Sequence, residues 1–207
     1  MILLNDSHFV GKGLHRECYI HPNNVQLCVK VVVAGDLSES KREQSYYKLL
    51  QKRGISWDIL PRFHGLIETN RGAGAVFDLI RDFDGEVSKT LEHYLCAEQL
   101  ASSENTGIKQ AIGVFKRELH RQAIITMTLS PKNIMYKKTA ANEGTLIVID
   151  NIGNSDFIPI CSYINYLAQK KITRKLLRFE QTVLKMCAHN NALQQCLLNL
   201  GSSARAV

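Results

Sequence analysis

Two segments decide the fold of this chain: Thr126-Met127-Thr128-Leu129-Ser130-Pro131-Lys132-Asn133-Ile134 and Ile147-Val148-Ile149-Asp150-Asn151-Ile152-Gly153. The first is typical of a polar loop behind a helix, and the second of an apolar strand that ends in a carboxylate. We predict a β-pair at 133–137 and 145–150, with Asn133 and Asp150 at its inner ends. Their oxygen atoms suit Mg²⁺, which takes few protein ligands and leaves its other positions to phosphates and water. The competing interpretation is a simple Asp-Asn turn that closes the strand.

The rest of the chain divides into a strand-rich part and a helix-rich part. Apolar and β-branched patterns predict strands at 9–13, 17–20, 26–33, 60–69 and 74–80, with one helix at 38–53. Further helices are predicted at 90–100, 107–123, 160–188 and 192–200. We therefore expect an α+β protein in which 1–81 and 82–207 are the two parts of one domain.

Three features of the strand-rich part are candidates for ligand binding. Gly11 and Gly13 lie in a turn between two strands, where glycine lets backbone amides approach a phosphate. Lys30 lies among apolar strand residues, and a buried ammonium needs an anionic partner. Glu43 on the next helix is the natural candidate, and Glu39 is the rival. The alternatives are an ordinary glycine turn and a lysine that faces water.

The composition favours an anionic partner. Lys and Arg outnumber Asp and Glu by 26 to 19 over 207 residues, which gives a formal charge of +7. Nucleotide phosphates, nucleic acid and lipid headgroups all fit this balance. No apolar run approaches the ~20 residues of a membrane-spanning helix. The N-terminus lacks a secretory-signal pattern, so we expect a cytoplasmic protein with reduced cysteines.

A basic cluster lies on the predicted helix 160–188. Its members are Lys170, Lys171, Arg174, Lys175 and Arg178. One interpretation is a solvated helix face, and the other is a surface that binds a polyanion or a protein partner. We do not expect nucleic-acid binding, because the sequence has no evident recognition helix and no basic motif with interleaved aromatic residues.

The order of these features resembles the protein-kinase-like superfamily, in which a glycine turn, a strand Lys, a helix Glu, a loop Asn and a strand-ending Asp follow one another. Further motifs extend the resemblance over nearly the whole chain: Arg16-Glu17-Cys18-Tyr19-Ile20-His21-Pro22, Cys28-Val29-Lys30, Pro61-Arg62-Phe63-His64-Gly65 and Asp82-Phe83-Asp84-Gly85. With them, the chain resembles the bacterial family described as PhoP regulatory network protein YrbL. That family name implies bacterial origin and expression under a PhoP-type regulator.

The resemblance implies a kinase-like two-lobe fold, with an N-terminal antiparallel sheet plus one helix and a reduced helical C-lobe. It implies ATP and Mg²⁺ as ligands, with Lys30 on the α/β-phosphates and paired with Glu43. Asp78 to Ile80 would form the hinge near the adenine. The residues implied in nucleotide binding are Gly11, Gly13, Lys30, Glu43, Asp78 and Ile80, and those implied in metal binding are Asn133 and Asp150. The phosphate acceptor is an unidentified protein or small molecule.

The chain departs from the kinase pattern at the catalytic base. Thr128 occupies the position of the usual Asp, and Ser130 replaces a lysine often found two residues later. Loss of a general base forfeits ~10²–10⁴-fold in rate. We therefore expect a weak phosphotransferase or a pseudokinase, with Asp156 as a substitute base to be tested. The alternative is a non-catalytic adaptor that binds a protein or polyanion through its basic C-terminal helix.

Overall fold

The computed structural model describes residues 1–35, 37–98, 100–153 and 165–198. Within these ranges the chain forms eight β-strands in two sheets and five α-helices. Every pairing between neighbouring strands of the two sheets is antiparallel. The structure therefore confirms the predicted α+β class and the antiparallel N-terminal sheet.

The N-terminal sheet has five strands in the order β1-β2-β3-β5-β4. Their bounds are β1 Phe9–Lys12, β2 Arg16–His21, β3 Asn24–Val32, β4 Phe63–Thr69 and β5 Gly72–Asp78, and helix α1, Ser38–Lys52, follows β3. The predicted turn at 70–73 is shorter in the structure, because β5 starts at Gly72 with a φ of 95°. Thr69 supports this tight turn by accepting a hydrogen bond from the amide of Arg71 at 3.0 Å.

The N-terminal segment 1–8 covers one face of this sheet, a role that sequence analysis did not assign. Leu4 is buried together with Tyr19, Val29 and Val31 in a small apolar cluster. The side chain of Asn70 fixes the segment, because it accepts from the Leu4 amide at 2.8 Å and donates to the Leu4 carbonyl at 3.1 Å. The opposite face of the sheet packs against α1 and the main core.

The second part of the chain combines a small sheet with helices. The three strands are β6 Lys89–Thr90, β7 Ile134–Ala140 and β8 Glu143–Val148, and the helices are α2 Leu91–Leu95, α3 Ser102–Arg121, α4 Asn165–Met186 and α5 Asn191–Leu198. The largest differences from the predicted bounds are that α2 ends at Leu95 and not at position 100, and that α3 begins at Ser102, before Gly107. Gly107 lies inside α3 because Tyr136 and Asn142 leave no room for a side chain there. No helix among the described residues is both long and apolar enough to cross a membrane.

One buried core joins the two parts, with residues from both sides of the predicted boundary at 81/82. Helix α1 makes the closest links to the second part. Arg53, just after α1, donates to the carbonyls of Gln122 and Ala123 at the end of α3. The hydroxyl of Tyr46 accepts a hydrogen bond from the Ile125 amide at 2.9 Å. These bonds place the middle of α1 against the segment that leads to Thr128.

Candidate functional site

Arg16 lies at the centre of the candidate site. Its guanidinium, at the start of β2, donates to Oε2 of Glu43 on α1 and to Oδ1 of Asp150 just after β8. The side chains of Arg16, Glu43 and Asp150 are 18%, 3% and 34% exposed. The arrangement thus joins the N-terminal sheet, its helix and the second part of the chain through one cation. We call Arg16, Lys30, Glu43 and Asp150 the Arg16 cluster.

The geometry of the sheet explains why Arg16 points toward these carboxylates. Cys18 pairs with Lys30 across β2 and β3, and Arg16 lies two residues before Cys18 on the same strand. Because side chains alternate between the faces of a strand, Arg16 and Lys30 share one face. Burial alone would lower the pKa of the Arg16 guanidinium, but the charges of Glu43 and Asp150 outweigh it and raise that pKa above its ordinary value.

Lys30 takes a different partner from the one predicted. Its ammonium donates to the backbone carbonyl of Ile149 and lies 4.9 Å from the centre of the Phe77 ring. Glu43 is paired with Arg16 instead, so the predicted Lys30–Glu43 ion pair is wrong for this state of the protein. The physical reason is that the planar guanidinium of Arg16 presents separate nitrogens to Glu43 and to Asp150, while the Lys30 ammonium is already bonded to the Ile149 carbonyl.

The glycine turn lies next to Arg16. The Gly13 amide donates to the Arg16 carbonyl at 2.8 Å, which closes the turn between β1 and β2. A Cβ atom added to Gly11 would meet no atom within 4 Å, and neither Gly11 nor Gly13 has a positive φ. The protein itself therefore does not require glycine at position 11, and space is open above this backbone. The predicted approach of Gly11 and Gly13 to phosphates stays a prediction.

The predicted hinge residues bond within the protein. The Asp78 carboxylate accepts from the Arg62 amide at 2.8 Å and contacts Nε2 of His64 at 2.7 Å. The Ile80 carbonyl accepts from the Ser88 amide at 3.0 Å. These contacts commit the Asp78 carboxylate to the β4 edge of the sheet. The predicted contact of Asp78 and Ile80 with adenine stays a prediction.

The predicted metal ligands lie on adjacent backbone. The Ile149 amide donates to the Asn133 carbonyl at 2.9 Å, which brings the residue before Asp150 alongside Asn133. Oδ1 of Asp150 is already bonded to Arg16, and it also accepts from the Asn151 amide at 2.7 Å. The described residues contain no group of three or more His, Cys, Asp or Glu side chains suited to a metal. A divalent ion on that oxygen would have to displace the Arg16 guanidinium, so Mg²⁺ and Arg16 compete for Oδ1 of Asp150 in this arrangement.

Thr128 is exposed and is held by its neighbour. Its hydroxyl accepts from Nδ2 of Asn151 at 2.7 Å, and the Met127 amide donates to the Asn151 carbonyl at 2.6 Å. Asn151 adopts a φ of 60°, a left-handed conformation that asparagine tolerates better than most residues. The two hydrogen bonds with Asn151 hold the loop in place. A neutral hydroxyl is a poor proton acceptor, so Thr128 cannot serve as the catalytic base. Asp156, the substitute base, lies outside the described residues.

Two features of the site were missed from the sequence. Lys175 on α4 donates to the carbonyls of Thr126 and Met127, so it supports the loop from below instead of facing solvent. Lys171, one turn earlier, is buried. Both lie beside the apolar stripe of α4, and a helical-wheel projection of residues 168–183 is the signal that separates them from Lys170, Arg174 and Arg178.

Arg16 was missed because its partners lie far away in the sequence.

A pair of thiols lies beside the cluster on the same sheet. Cys28 pairs with Ile20, diagonally adjacent to the Cys18–Lys30 pair. A hydrogen bond with the Cys28 thiol lowers the pKa of Cys18, and the nearby charges of Lys30 and Arg16 lower it further. That same hydrogen bond, together with burial, raises the pKa of Cys28 well above its ordinary value. The two thiols therefore differ in acidity although they are neighbours.

Comparison with known proteins agrees with the resemblance found in the sequence. The family model described as PhoP regulatory network protein YrbL matches residues 2–184. The YrbL protein of Escherichia coli (strain K12) is 39% identical over 184 residues, which cover 86% of each chain. The YrbL protein of Shigella flexneri matches equally, with 39% identity over 86% of both chains. This chain belongs to the PhoP regulatory network protein YrbL family.

Proposed function

We propose that this protein binds a nucleotide in a kinase-like cleft and transfers phosphate slowly or not at all. The observation that carries the proposal is the convergence of the Arg16 cluster. Its four charged residues come from β2, β3, α1 and the end of β8, and they meet in a half-buried place. Removing charges from water is costly, and such clusters in clefts are typical of ligand sites.

In this proposal the N-terminal sheet with α1 forms one lobe, and β6–β8 with the remaining helices forms the other. The nucleotide lies between them, with its phosphates over the open space at Gly11 and near Lys30. The adenine lies toward Asp78 and Ile80. The order of these elements along the chain is the order found in protein kinases, which supports the assignment.

The proposal places the protein in a PhoP-controlled network, as its family description suggests. Thr128 supplies no carboxylate base, so any phosphoryl transfer relies on positioning and charge neutralisation. A slow or absent reaction fits a protein that binds its partner differently with and without a nucleotide. The acceptor or partner would be a protein or a small molecule of the same network.

The test is the shift in melting temperature when ATP with Mg²⁺ is added to the wild type and to Lys30→Met. A ligand at about 100 times its Kd adds ~2.7 kcal/mol of stability, which corresponds to a shift of roughly 5–10 °C in a chain of this size. We expect the shift in the wild type and its loss in Lys30→Met. The matched control is Lys48→Met, because Lys48 is exposed on α1. Absence of a shift in the wild type would overturn the proposal.

A second candidate function, that of an adaptor for an anionic partner, is favoured by one observation. Lys170, Arg174 and Arg178 are exposed on α4 and repeat every four residues, so they form one stripe. The neighbouring Glu180 does not neutralise the stripe, because it is paired with Lys116. Retention on a heparin column tests this function. The adaptor proposal expects a triple Gln variant of the stripe to elute at clearly lower salt than a triple Gln variant of the exposed Lys41, Arg42 and Lys48 on α1.

A further inference from the structure

Arg16 occupies the place beside Asp150 where a nucleotide-bound divalent cation was expected. One arm of its guanidinium bonds Asp150 and another bonds Glu43. Together with Lys30, two cations and two carboxylates make the Arg16 cluster neutral. The two carboxylates therefore already have counter-charges, and a cation that binds there competes with Arg16 for Oδ1 of Asp150. Mg²⁺ also demands near-octahedral oxygen ligands at short distances.

Displacing Arg16 would leave the buried Glu43 carboxylate without a counter-charge, which costs free energy. The Glu43 side chain is 3% exposed, and its second oxygen, Oε1, is buried without a hydrogen-bond partner among the described residues. A buried carboxylate that loses its only ion pair is strongly destabilised. Arg16 therefore has a structural reason to remain between the two carboxylates when a ligand arrives.

The guanidinium is also well placed for an anion. Arg16 is 18% exposed, and it shares a face of the sheet with Gly11, because Gly11 pairs with Cys18 two residues along β2. A guanidinium carries five N–H donors in a rigid fork that matches phosphate oxygens. Two carboxylates need not use all five donors, and those that remain can face a phosphate. Lys30 adds a second positive charge on the same face of the sheet.

We infer that Arg16 binds the phosphates of a nucleoside diphosphate or triphosphate and replaces the divalent cation, so that nucleotide binding does not require Mg²⁺. This inference rests on the proposed nucleotide function. It adds that Arg16 is the residue that binds the phosphates and that binding does not require Mg²⁺.

The experiment is calorimetric titration of ADP and ATP into the purified full chain, once with excess EDTA and once with saturating Mg²⁺. We expect the two affinities of the wild type to agree within about threefold. We expect Arg16→Gln to lose about 10- to 100-fold in affinity in both conditions, because a charge-assisted hydrogen bond to phosphate is lost. Arg16→Lys keeps the charge and should lose less. Arg42→Gln is the matched control, since Arg42 is exposed on α1.

Each outcome decides the inference. Binding that requires Mg²⁺, or that is unaffected in a folded Arg16→Gln variant, would overturn the role of Arg16 and leave the nucleotide function intact. Absence of binding in both conditions would overturn the inference together with the proposed function. If Arg16→Gln does not fold by circular dichroism, Arg16→Lys and the Mg²⁺ dependence of the wild type still decide the question.

Discussion

The hydroxyl of Tyr46 on α1 accepts a hydrogen bond from the backbone amide of Ile125, at 2.9 Å and in a buried environment. Burial raises the pKa of this phenol, so the hydroxyl stays protonated over the physiological range. The bond joins the helix that carries Glu43 to the segment that carries Thr128. It fixes the distance between two halves of the candidate site without using any charged group.

Replacing Tyr46 by Phe should lower the free energy of unfolding by about 1–3 kcal/mol, because it leaves the buried Ile125 amide without an acceptor. Urea denaturation measures the change. Tyr166→Phe is the matched control, since Tyr166 is exposed on α4 and should give no measurable change. Equal stability of Tyr46→Phe and wild type would show that this bond does not hold α1 in place.

The Arg16–Glu43 pair should behave as a buried ion pair. Arg16→Gln removes the counter-charge of Glu43, and we expect a loss of about 3 kcal/mol in stability. Arg16→Met combined with Glu43→Leu should recover most of that loss, because neither charge then remains buried. Asp150→Asn should cost only ~1 kcal/mol, since the Asp150 side chain is 34% exposed. Additive losses in a double-mutant cycle of Arg16 and Glu43 would contradict the pairing.

Two glycines should respond in opposite ways to replacement by alanine. At Gly107 a Cβ would collide with the Asn142 carbonyl and lie 2.8 Å from the Tyr136 hydroxyl. Overpacking of this kind costs about 1–3 kcal/mol. At Gly11 a Cβ meets nothing, so stability should be equal or slightly higher. Differential scanning calorimetry of both variants measures the contrast, and a destabilised Gly11→Ala variant would contradict it.

Replacing Gly11 by alanine also tests ligand binding separately from stability. Since we expect Gly11→Ala to keep the fold intact, a loss of nucleotide affinity in that variant would show that the ligand lies close to this backbone. We expect weaker binding of ADP in Gly11→Ala, measured by the same titration as for Arg16. Unchanged affinity would place the phosphates away from the turn between β1 and β2.

The strands and helices were largely predictable from the sequence, because they follow from local patterns. A run rich in β-branched residues locates β3, and the apolar stripe of α3 is evident between positions 108 and 119. The start of α3 was missed, since Gly107 discourages a helix locally, whereas in the fold its missing side chain leaves room for Tyr136 and the Asn142 carbonyl. Local propensity cannot report a contact between residues that are distant in sequence.

The candidate site was predictable only in part, for the same reason. The individual residues Lys30, Glu43 and Asp150 were identified from their elements, but their partners were not. Arg16 reaches Asp150 across 134 positions of sequence. Pairing between charged side chains depends on register and on competition among several cations. The sequence alone gives no distances, so it cannot show whether Arg16 or Lys30 is the partner of Glu43.

The pKa of the Cys18 thiol should lie below its ordinary value, chiefly because of its hydrogen bond with the Cys28 thiol. The positive charges of Arg16 and Lys30 favour its thiolate, so removing the Arg16 charge should raise its pKa. The pH midpoint of Cys18 alkylation by iodoacetamide, followed by peptide mass spectrometry, should therefore move upward in Arg16→Gln. Cys96 is exposed and distant in sequence, and its midpoint should stay constant. A Cys18 midpoint that does not move would contradict the proximity of Arg16.

The way α1 is anchored limits how the site can open. Its C-terminal end is fixed by Arg53 on the carbonyls of Gln122 and Ala123, and its middle is fixed by Tyr46. Glu43 lies nearer the N-terminal end, beyond both anchors. Sliding of the whole helix along its axis would break both anchors, whereas a swing of its N-terminal end would leave them in place and separate Glu43 from Arg16. An opening that keeps both anchors intact is therefore a rotation of α1 about a pivot near Tyr46, and it would carry Glu43 through an arc away from its counter-charge.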